Sequence, residues 1–375
     1  MNKAAHFGAT FSGPAFYLQD ALKTIIAGKQ TNLEKTKAIY YWLQQNMARD
    51  KDNSLFAATS LKKAFDSRRG NSSAINLLLM AMLKEAGIAA WPIILSTRDH
   101  GFIYEQYPLI TRFNYTVAQV KLYEGEFVLD ASEPLLGFGK LPLRCYNGAA
   151  RLMTPDAPPV YFYADSLQEG DLTSVRLQMD NAGNLSGSVD EIQGYHHSLE
   201  SRQQIKASGV VALEKSLATS LGDDPVVQHL QLHNADSLEA PLGISFDFTL
   251  PENKTQDLIY LSPMLGQSFA ANPFTAAERL YPVEMPVARQ DSYTLNFTLP
   301  DNYAVEELPQ SASFKLPDGS AGFRYIIQQE GHNVQLRVVL RFKKATFKPE
   351  EYGGLRAFFD DVVKKEAEQI VLKRK

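Results

Sequence analysis

The sequence contains a single cysteine, Cys145. A lone thiol closes no intramolecular disulfide and builds no cysteine-rich zinc site, which excludes a stapled miniprotein. Runs of about 18 uninterrupted apolar residues are also lacking, so no segment reads as a membrane span. Basic charge is scarce: 38 Lys and Arg face 42 Asp and Glu, a net charge of −4. Without a long basic stripe nothing neutralises a phosphate backbone, and nucleic acid is not an expected partner. No glycine pattern of the P-loop or dinucleotide-binding type stands between a strand and a helix, so no cofactor is expected. Met1–Thr10 has neither a charged n-region followed by an apolar stretch nor a cleavage signal. Fixed-period repeats and low-complexity tracts are absent as well. What is present is the composition of a folded chain: 45% hydrophobic and 21% charged residues, with 21 Phe and 17 Tyr, which excludes bulk disorder. Its 375 residues, at roughly 150 per domain, predict two or three domains.

Helical spacing dominates the first part. Thr31 and Glu34 form a capping box ahead of Ile39, Trp42, Leu43 and Met47, predicting an amphipathic helix over Asn32–Ala48. A short helix is expected over Ser60–Phe65, broken by Arg68-Arg69-Gly70. The run INLLLMAMLKEA from Ile75 to Ala86 is apolar on almost every face, starts at Asn71-Ser72-Ser73 and stops at Gly87. Such a helix belongs inside a fold. Strands are then predicted over Ala90–Ser96, Phe113–Leu122 and Phe127–Ala131, and Leu141–Pro159 reads as a long exit loop. Ahead of the first helix, Phe11–Phe16 is apolar and loop-like, the look of a piece of a longer precursor.

The second half alternates short strands with turn residues. Asp180-Asn181-Ala182-Gly183 marks a hairpin between Val175–Met179 and Leu185–Val189, and Tyr195–Leu221 reads as helical with a break at Gly209. Further strands are expected over Leu242–Leu250, Leu258–Leu261, Tyr293–Leu299, Phe314–Leu316, Phe323–Gln328 and Val334–Phe342. A closing helix over Pro349–Leu372 carries the basic tail Lys373-Arg374-Lys375. The class is α+β: a core with a buried helix over residues 1–165, then a β-rich, sandwich-like domain with a C-terminal helix over 166–375.

One constellation carries a family likeness. The segment Gly70-Asn71-Ser72-Ser73-Ala74-Ile75-Asn76 precedes MLKEAGI, WPIILSTR, FNY at Phe113–Tyr115 and LDAS at Leu129–Ser132. This resembles the transglutaminase-like superfamily, whose core is papain-like, and in particular the multidomain Bacteroidetes proteins with flanking β-rich domains of unknown function. LPLRCYNG, NPFTAAERLYPV, LPDNYAVEELP and the closing EEYGGLRAFFDDVVKKEAEQIVL extend the likeness over nearly the whole chain. His6-Phe7-Gly8 looks like the linker that precedes the core in longer members. The resemblance thus implies a missing N-terminal β domain and signal peptide, and a periplasmic or cell-envelope location.

In active members a Gly-x-Cys motif places a nucleophilic Cys at the N-terminus of the buried helix, where helix-end N–H groups and a partner His favour the thiolate and an Asp orients the imidazole. Here the Cys position matches Ser72, the His position Tyr115 and the Asp position Asp130. A serine hydroxyl needs a general base, and a tyrosine with an ordinary pKa of about 10 is protonated at neutral pH. No catalytic triad is intact, and the expected reading is a noncatalytic protein.

Simpler roles stand beside each residue. Ser72 also reads as a helix N-cap, Tyr115 as a strand aromatic with a partnered hydroxyl, and Asp130 as an acceptor for Tyr115 or a backbone N–H. Cys145 reads as an inert buried thiol. His100, after STRD, is expected on an exposed loop. His196 and His197 are adjacent, and His229 and His233 at i, i+4 could ligate a metal only if helical and joined by further ligands, whereas VVQHLQLHN reads as a strand; no metal is expected.

The first functional expectation is a noncatalytic transglutaminase-like protein that binds a peptide-like ligand or protein partner through the degenerate cleft at Asn71, Ser72, Ser73, His100 and Tyr115. A second is a hydrolase or acyltransferase using Ser72 as nucleophile, assisted by Asp130 with Tyr115 or His100. A third is a structural envelope module, which predicts a cleft filled by Tyr115 and its neighbours.

Overall fold

The capping box at Thr31 forms as expected: Thr31 Oγ1 accepts from the Glu34 N–H at 3.1 Å, and the Glu34 carboxylate accepts from the Thr31 N–H at 3.0 Å. It opens one helix of a computed structural model that describes residues 4, 6–8, 13–51, 53–222, 224–251 and 257–375. Phe11 and Ser12, part of the loop-like opening, lie outside the described residues. The chain divides into two compact units, Met1–Tyr163 and Ala164–Lys375.

In the first unit α1 (Gln19–Ile25) and α2 (Asn32–Asn46) precede β1 (Ala48–Arg49), α3 (Leu61–Ser67) and β2 (Arg69–Gly70). Ser60 caps α3, and Arg68 ends it in the left-handed conformation at φ 54°. α4 (Ser72–Glu85) follows, with every residue from Ser72 to Leu83 buried. A helix without a polar face must be covered all round, and α1–α3 together with strands supply that cover. Leu78 and Met82 share one core with Ile39 and Leu43 of α2, Leu61 and Phe65 of α3, and Ala118 and Val120 of the sheet.

That sheet has five strands in the order β5-β4-β3-β6-β7. β3 (Ala90–Leu95), β4 (Tyr115–Leu122) and β5 (Gly125–Leu129) fall where the alternation predicted them. β6 (Gly148–Leu152) and β7 (Pro159–Phe162) do not, because Leu141–Pro159 reads as a loop from its Pro, Gly and Asn content. Pairing overrides that composition: Ile93 of β3 faces Leu152, and Ala150 faces Val160.

The second unit is built on a nine-stranded sheet. β8 (Gln168–Glu169), β9 (Leu172–Met179) and β10 (Leu185–Ile192) come first, with the hairpin at Asp180–Gly183. α5 (Tyr195–Ser208) and α6 (Val210–Leu221) break at Gly209, and β11 (Val226–His233) and β12 (Gly243–Thr249) extend the sheet. Then come β13 (Leu258–Leu261), β14 (Val283–Glu284), β15 (Ala288–Thr298), β16 (Tyr303–Glu307), β17 (Ala312–Lys315), β18 (Ala321–Glu330), β19 (Asn333–Phe342) and β20 (Thr346–Phe347). The main order is β11-β12-β10-β9-β15-β19-β18-β17, and β8 joins β15 off that path. β9 and β15 pair in parallel, Val175 beside Leu295, across more than a hundred residues of chain.

The C-terminal helix is shorter than its sequence pattern implies. α7 (Tyr352–Glu366) buries Leu355, Phe358, Phe359 and Val362, and Phe358 and Phe359 lie against Phe342 of β19. It stops before Ile370, and β21 (Ile370–Arg374) is a strand rather than the end of the helix. The reason is Ile370-Val371-Leu372, whose branched side chains fit a pleated surface. β21 lies between β13 and β16 in a second, three-stranded sheet. Ile259, Leu261, Ile370 and Leu372 of that sheet share one core with Val175, Leu177, Leu295 and Phe297 of the large one. Among the described residues no helix is long and apolar enough to cross a membrane.

Candidate functional site

The start of α4 is fixed by Asn71, not by Ser72. Asn71 Oδ1 accepts from the Ala74 N–H at 3.0 Å and from the Ala58 N–H at 3.3 Å, while its Nδ2 donates to the Phe56 carbonyl at 2.8 Å. An Asn at this position satisfies helix-end donors as well as a Ser, so the cap expected of Ser72 is taken by its neighbour. Ser72 is the first helical residue, fully buried, and its Oγ has no hydrogen-bond partner among the described residues. Ser73 is buried too and donates from Oγ to the Ser54 carbonyl.

Tyr115 opens β4 and Asp130 follows β5, and the structure brings them together. The Tyr115 hydroxyl donates to Asp130 Oδ2 at 2.7 Å, lies 3.1 Å from Ser132 Oγ, and accepts from Arg144 at 2.8 Å. Asp130 Oδ1 accepts from Asn76 Nδ2 at 2.9 Å, from Ser132 Oγ at 2.6 Å and from the Ser132 N–H at 3.0 Å. Asn76 also accepts from the Ala131 N–H at 2.8 Å and donates to the Thr116 carbonyl at 2.9 Å. One side chain of the buried helix thereby ties both strands. Tyr115 and Asp130 are each fully buried.

Charge is balanced at the edge of this network. Arg144 pairs with Glu133 at 2.6 Å, Glu133 pairs with Arg49 at 2.8 Å, and Arg144 lies over the Tyr115 ring at 5.2 Å. Burial, with the Asp130 carboxylate beside it, pushes the Tyr115 hydroxyl well above its ordinary value. Burial alone would lower Arg144, but Tyr115, Glu133 and Asp130 more than offset it and hold the guanidinium above its usual range. Cys145 is wholly buried in the small apolar cluster that contains Tyr115, and burial drives its thiol well up.

A tyrosine that keeps its proton, donated in a hydrogen bond to Asp130, is not a general base for Ser72. His100, the other candidate base, is exposed, with Nε2 3.4 Å from the Thr111 carbonyl, and no described hydrogen bond joins it to Tyr115 or Asp130. The arrangement thus joins two of the three positions, Tyr115 and Asp130, by a direct hydrogen bond, while Ser72 Oγ has no partner among the described residues.

Arg144, Asn76, Ser132 and Glu133 belong to the network although spacing does not single them out as functional. Asn76 alone carries a signal, since a polar residue inside so apolar a helix must find a buried partner.

The second unit holds another polar group. His196 and His197 each face a carboxylate on or beside β8: His196 Nδ1 lies 2.8 Å from Glu169 and His197 Nδ1 lies 3.0 Å from Asp171. Asp171 also accepts from the Gly194 N–H at 2.8 Å and pairs with Arg289 at 3.4 Å. The Asp171 bond, which outweighs the opposing effect of burial, raises His197, and burial raises Glu191. Asp171, Glu191 and His197 offer ligand atoms within 4.8 Å of one another. The hydrogen bonds of Asp171 and His197 already satisfy that set, and Arg289 supplies positive charge. His229 and His233 lie on strand β11, not on a helix, and both are exposed.

Residues 19–129, which carry the buried helix α4 and strand β4 with Tyr115, match the model of the Transglutaminase-like superfamily. Residues 257–372 match a domain of unknown function with solved structure, DUF3858. Among solved structures the chain is similar to one described as a "putative protease" from Parabacteroides distasonis. The TM-score is 0.55 at 11% identity, over 97% of this chain. The chain spans 56% of the length of that protein, and at this identity the likeness is one of fold. No curated protein matches the chain.

Proposed function

We propose that the transglutaminase-like core of this chain is noncatalytic, and that its degenerate triad serves as a buried polar lock between helix α4 and the sheet. The observation that carries the reading is Tyr115. At the position of the general base it is fully buried, donates to Asp130 and is braced by Arg144. Ser72 has no base within hydrogen-bond reach, and the other triad positions are saturated by partners of their own. The burial of Asn71, Ser72, Ser73 and Tyr115 favours a cleft filled by the protein itself over one that receives a peptide. On this reading the protein works through binding surfaces elsewhere, as a structural or adaptor module. The resemblance to exported multidomain proteins extends the proposal to a periplasmic or envelope location, which fractionation of cells producing the protein tests.

The test of the noncatalytic reading is a pair of proteins exposed to serine- and thiol-directed acyl probes and a peptide-amide panel. The wild type is expected to be inert. A Ser72→Cys, Tyr115→His double variant restores the chemical types of a thiol triad, and its labelling at residue 72 would show that the scaffold keeps the geometry. Labelling of wild-type Ser72, abolished by Ser72→Ala, overturns the proposal in favour of a serine hydrolase or acyltransferase.

A further inference from the structure

The C-terminal unit contains a cavity of about 480 Å³, within the range of roughly 300–1,000 Å³ typical of small-molecule sites. Its wall is aromatic. Phe359 of α7 stands 5.5 Å from Phe269, 5.1 Å from Phe274 and 5.6 Å from Phe342, centroid to centroid, and all four rings line the space. Into this wall the last residue of α7 brings a carboxyl. Glu366 is 3% exposed, lines the cavity, and has one hydrogen bond among the described residues, accepted by Oε2 from the Phe269 N–H at 2.9 Å. Among the described residues Oε1 has no donor. Neighbouring Lys365 does not supply one, because its ammonium pairs with Glu368 and lies over the Tyr325 ring.

Among the other charged and titratable side chains of the lining, carboxylates outnumber basic groups three to two. Asp171, Glu191 and Asp291 stand against Arg289 and His197. Both basic groups are already engaged: Arg289 holds Asp291 at 2.7 Å and Asp171 at 3.4 Å, and His197 Nδ1 lies 3.0 Å from Asp171. An anionic amphiphile entering here would face carboxylates with no unengaged cation among the described lining residues to meet it. A bare divalent ion would have to displace Arg289 and His197 from Asp171 and would leave the aromatic wall unused. A cation with an apolar body satisfies both halves of the lining, since aromatic faces attract cations and a buried carboxylate needs a donor.

We propose that this cavity is a binding site for a small organic amine, whose apolar body lies among Phe269, Phe274 and Phe359 and whose ammonium donates to Glu366 Oε1. This is a site for recognition, and it stands whether or not the transglutaminase-like core has chemistry of its own.

Calorimetric titration of the full chain tests it, with 2-phenylethylamine as probe, its N-acetyl derivative as the neutral analogue and 3-phenylpropanoate as the anionic one. The amine is expected to bind, and the two analogues to bind at least about tenfold more weakly, as for loss of a charge-assisted hydrogen bond. Glu366→Gln is expected to lose about the same factor for the amine while its affinity for the N-acetyl compound is unchanged, a contrast that misfolding would not produce. Phe274→Leu, a milder change on a half-buried ring, should weaken amine and neutral analogue alike. Equal affinity for amine and neutral analogue, an undiminished Glu366→Gln, or heat with zinc chloride and none with the amine would each overturn the proposal.

Discussion

Replacing Glu366 by Gln should change how the stability of the C-terminal unit depends on pH. Burial against Phe269 and Phe359 raises this carboxyl from 4.5 to about 7, and the single N–H bond from Phe269 only partly opposes that. Tyr325, of β18, is electrostatically linked to it, and burial holds that hydroxyl far above the working range. The folded state therefore binds the Glu366 proton more tightly than the unfolded state does. Its contribution is fully present below about pH 4.5 and is lost as pH rises through about 7. Above that range the folded unit carries an ionised carboxylate in an aromatic wall, at a cost of about 3 kcal/mol relative to the protonated form. Glutamine can accept the same N–H bond and never ionises. The variant is thus expected to gain about 3 kcal/mol on the wild type between pH 4 and pH 8. Fluorescence of Trp42 and Trp91 reports the N-terminal unit, so the assay is hydrogen exchange of α7 and β19 amides, measured by mass spectrometry across that range. A difference between the two proteins that stays flat with pH would refute the assignment of a raised carboxyl to Glu366.

Tyr115→Phe removes the donor to Asp130 and the acceptor for Arg144, and should destabilise the N-terminal unit by about 1–3 kcal/mol, read by tryptophan fluorescence in urea; an unchanged midpoint would refute the polar lock. Cys145, buried and with its thiol driven up, should resist iodoacetamide in the native protein and react at the rate of a free thiol once unfolded, as followed by intact mass. Gly170→Ala places a Cβ 1.9 Å from the Gln290 carbonyl oxygen, and the backbone shift it forces between β8 and β15 should lower the melting temperature of the C-terminal unit in calorimetry; a variant melting with wild type would show that this close approach is not required.

Legibility followed the range of the interactions involved. α4 could be read from its apolar run and its cap residues, because both signals lie within a few turns of chain. The choice between Asn71 and Ser72 as cap could not, since both are good caps and the decision is made by Ala58 and Phe56, which bond Asn71 from a separate segment. Tyr115 and Asp130 were identifiable as a pair by resemblance, whereas Arg144 enters the network from a connecting loop that carries no local mark. β6 and β7 are not legible because Gly148-Ala149-Ala150 has weak strand preference and becomes a strand only by pairing with β7. β21 was hidden by its neighbour, as the helical pattern of α7 runs unbroken into Ile370-Val371-Leu372. The cavity beside Glu366 was invisible for a related reason, its walls coming from segments far apart in sequence.

The position of β21 between β13 and β16 sets the order in which the second unit is completed. Synthesis makes β13 and β16 well before the strand that both of them pair with. Until residues 370–374 emerge, each of those strands presents an open hydrogen-bonding edge, the condition under which chains pair with one another rather than with themselves. α7, made just before, covers Phe342 and brings the last strand close to its slot. β21 is thus less a tail than the closing piece of the unit, the strand that covers both of those edges.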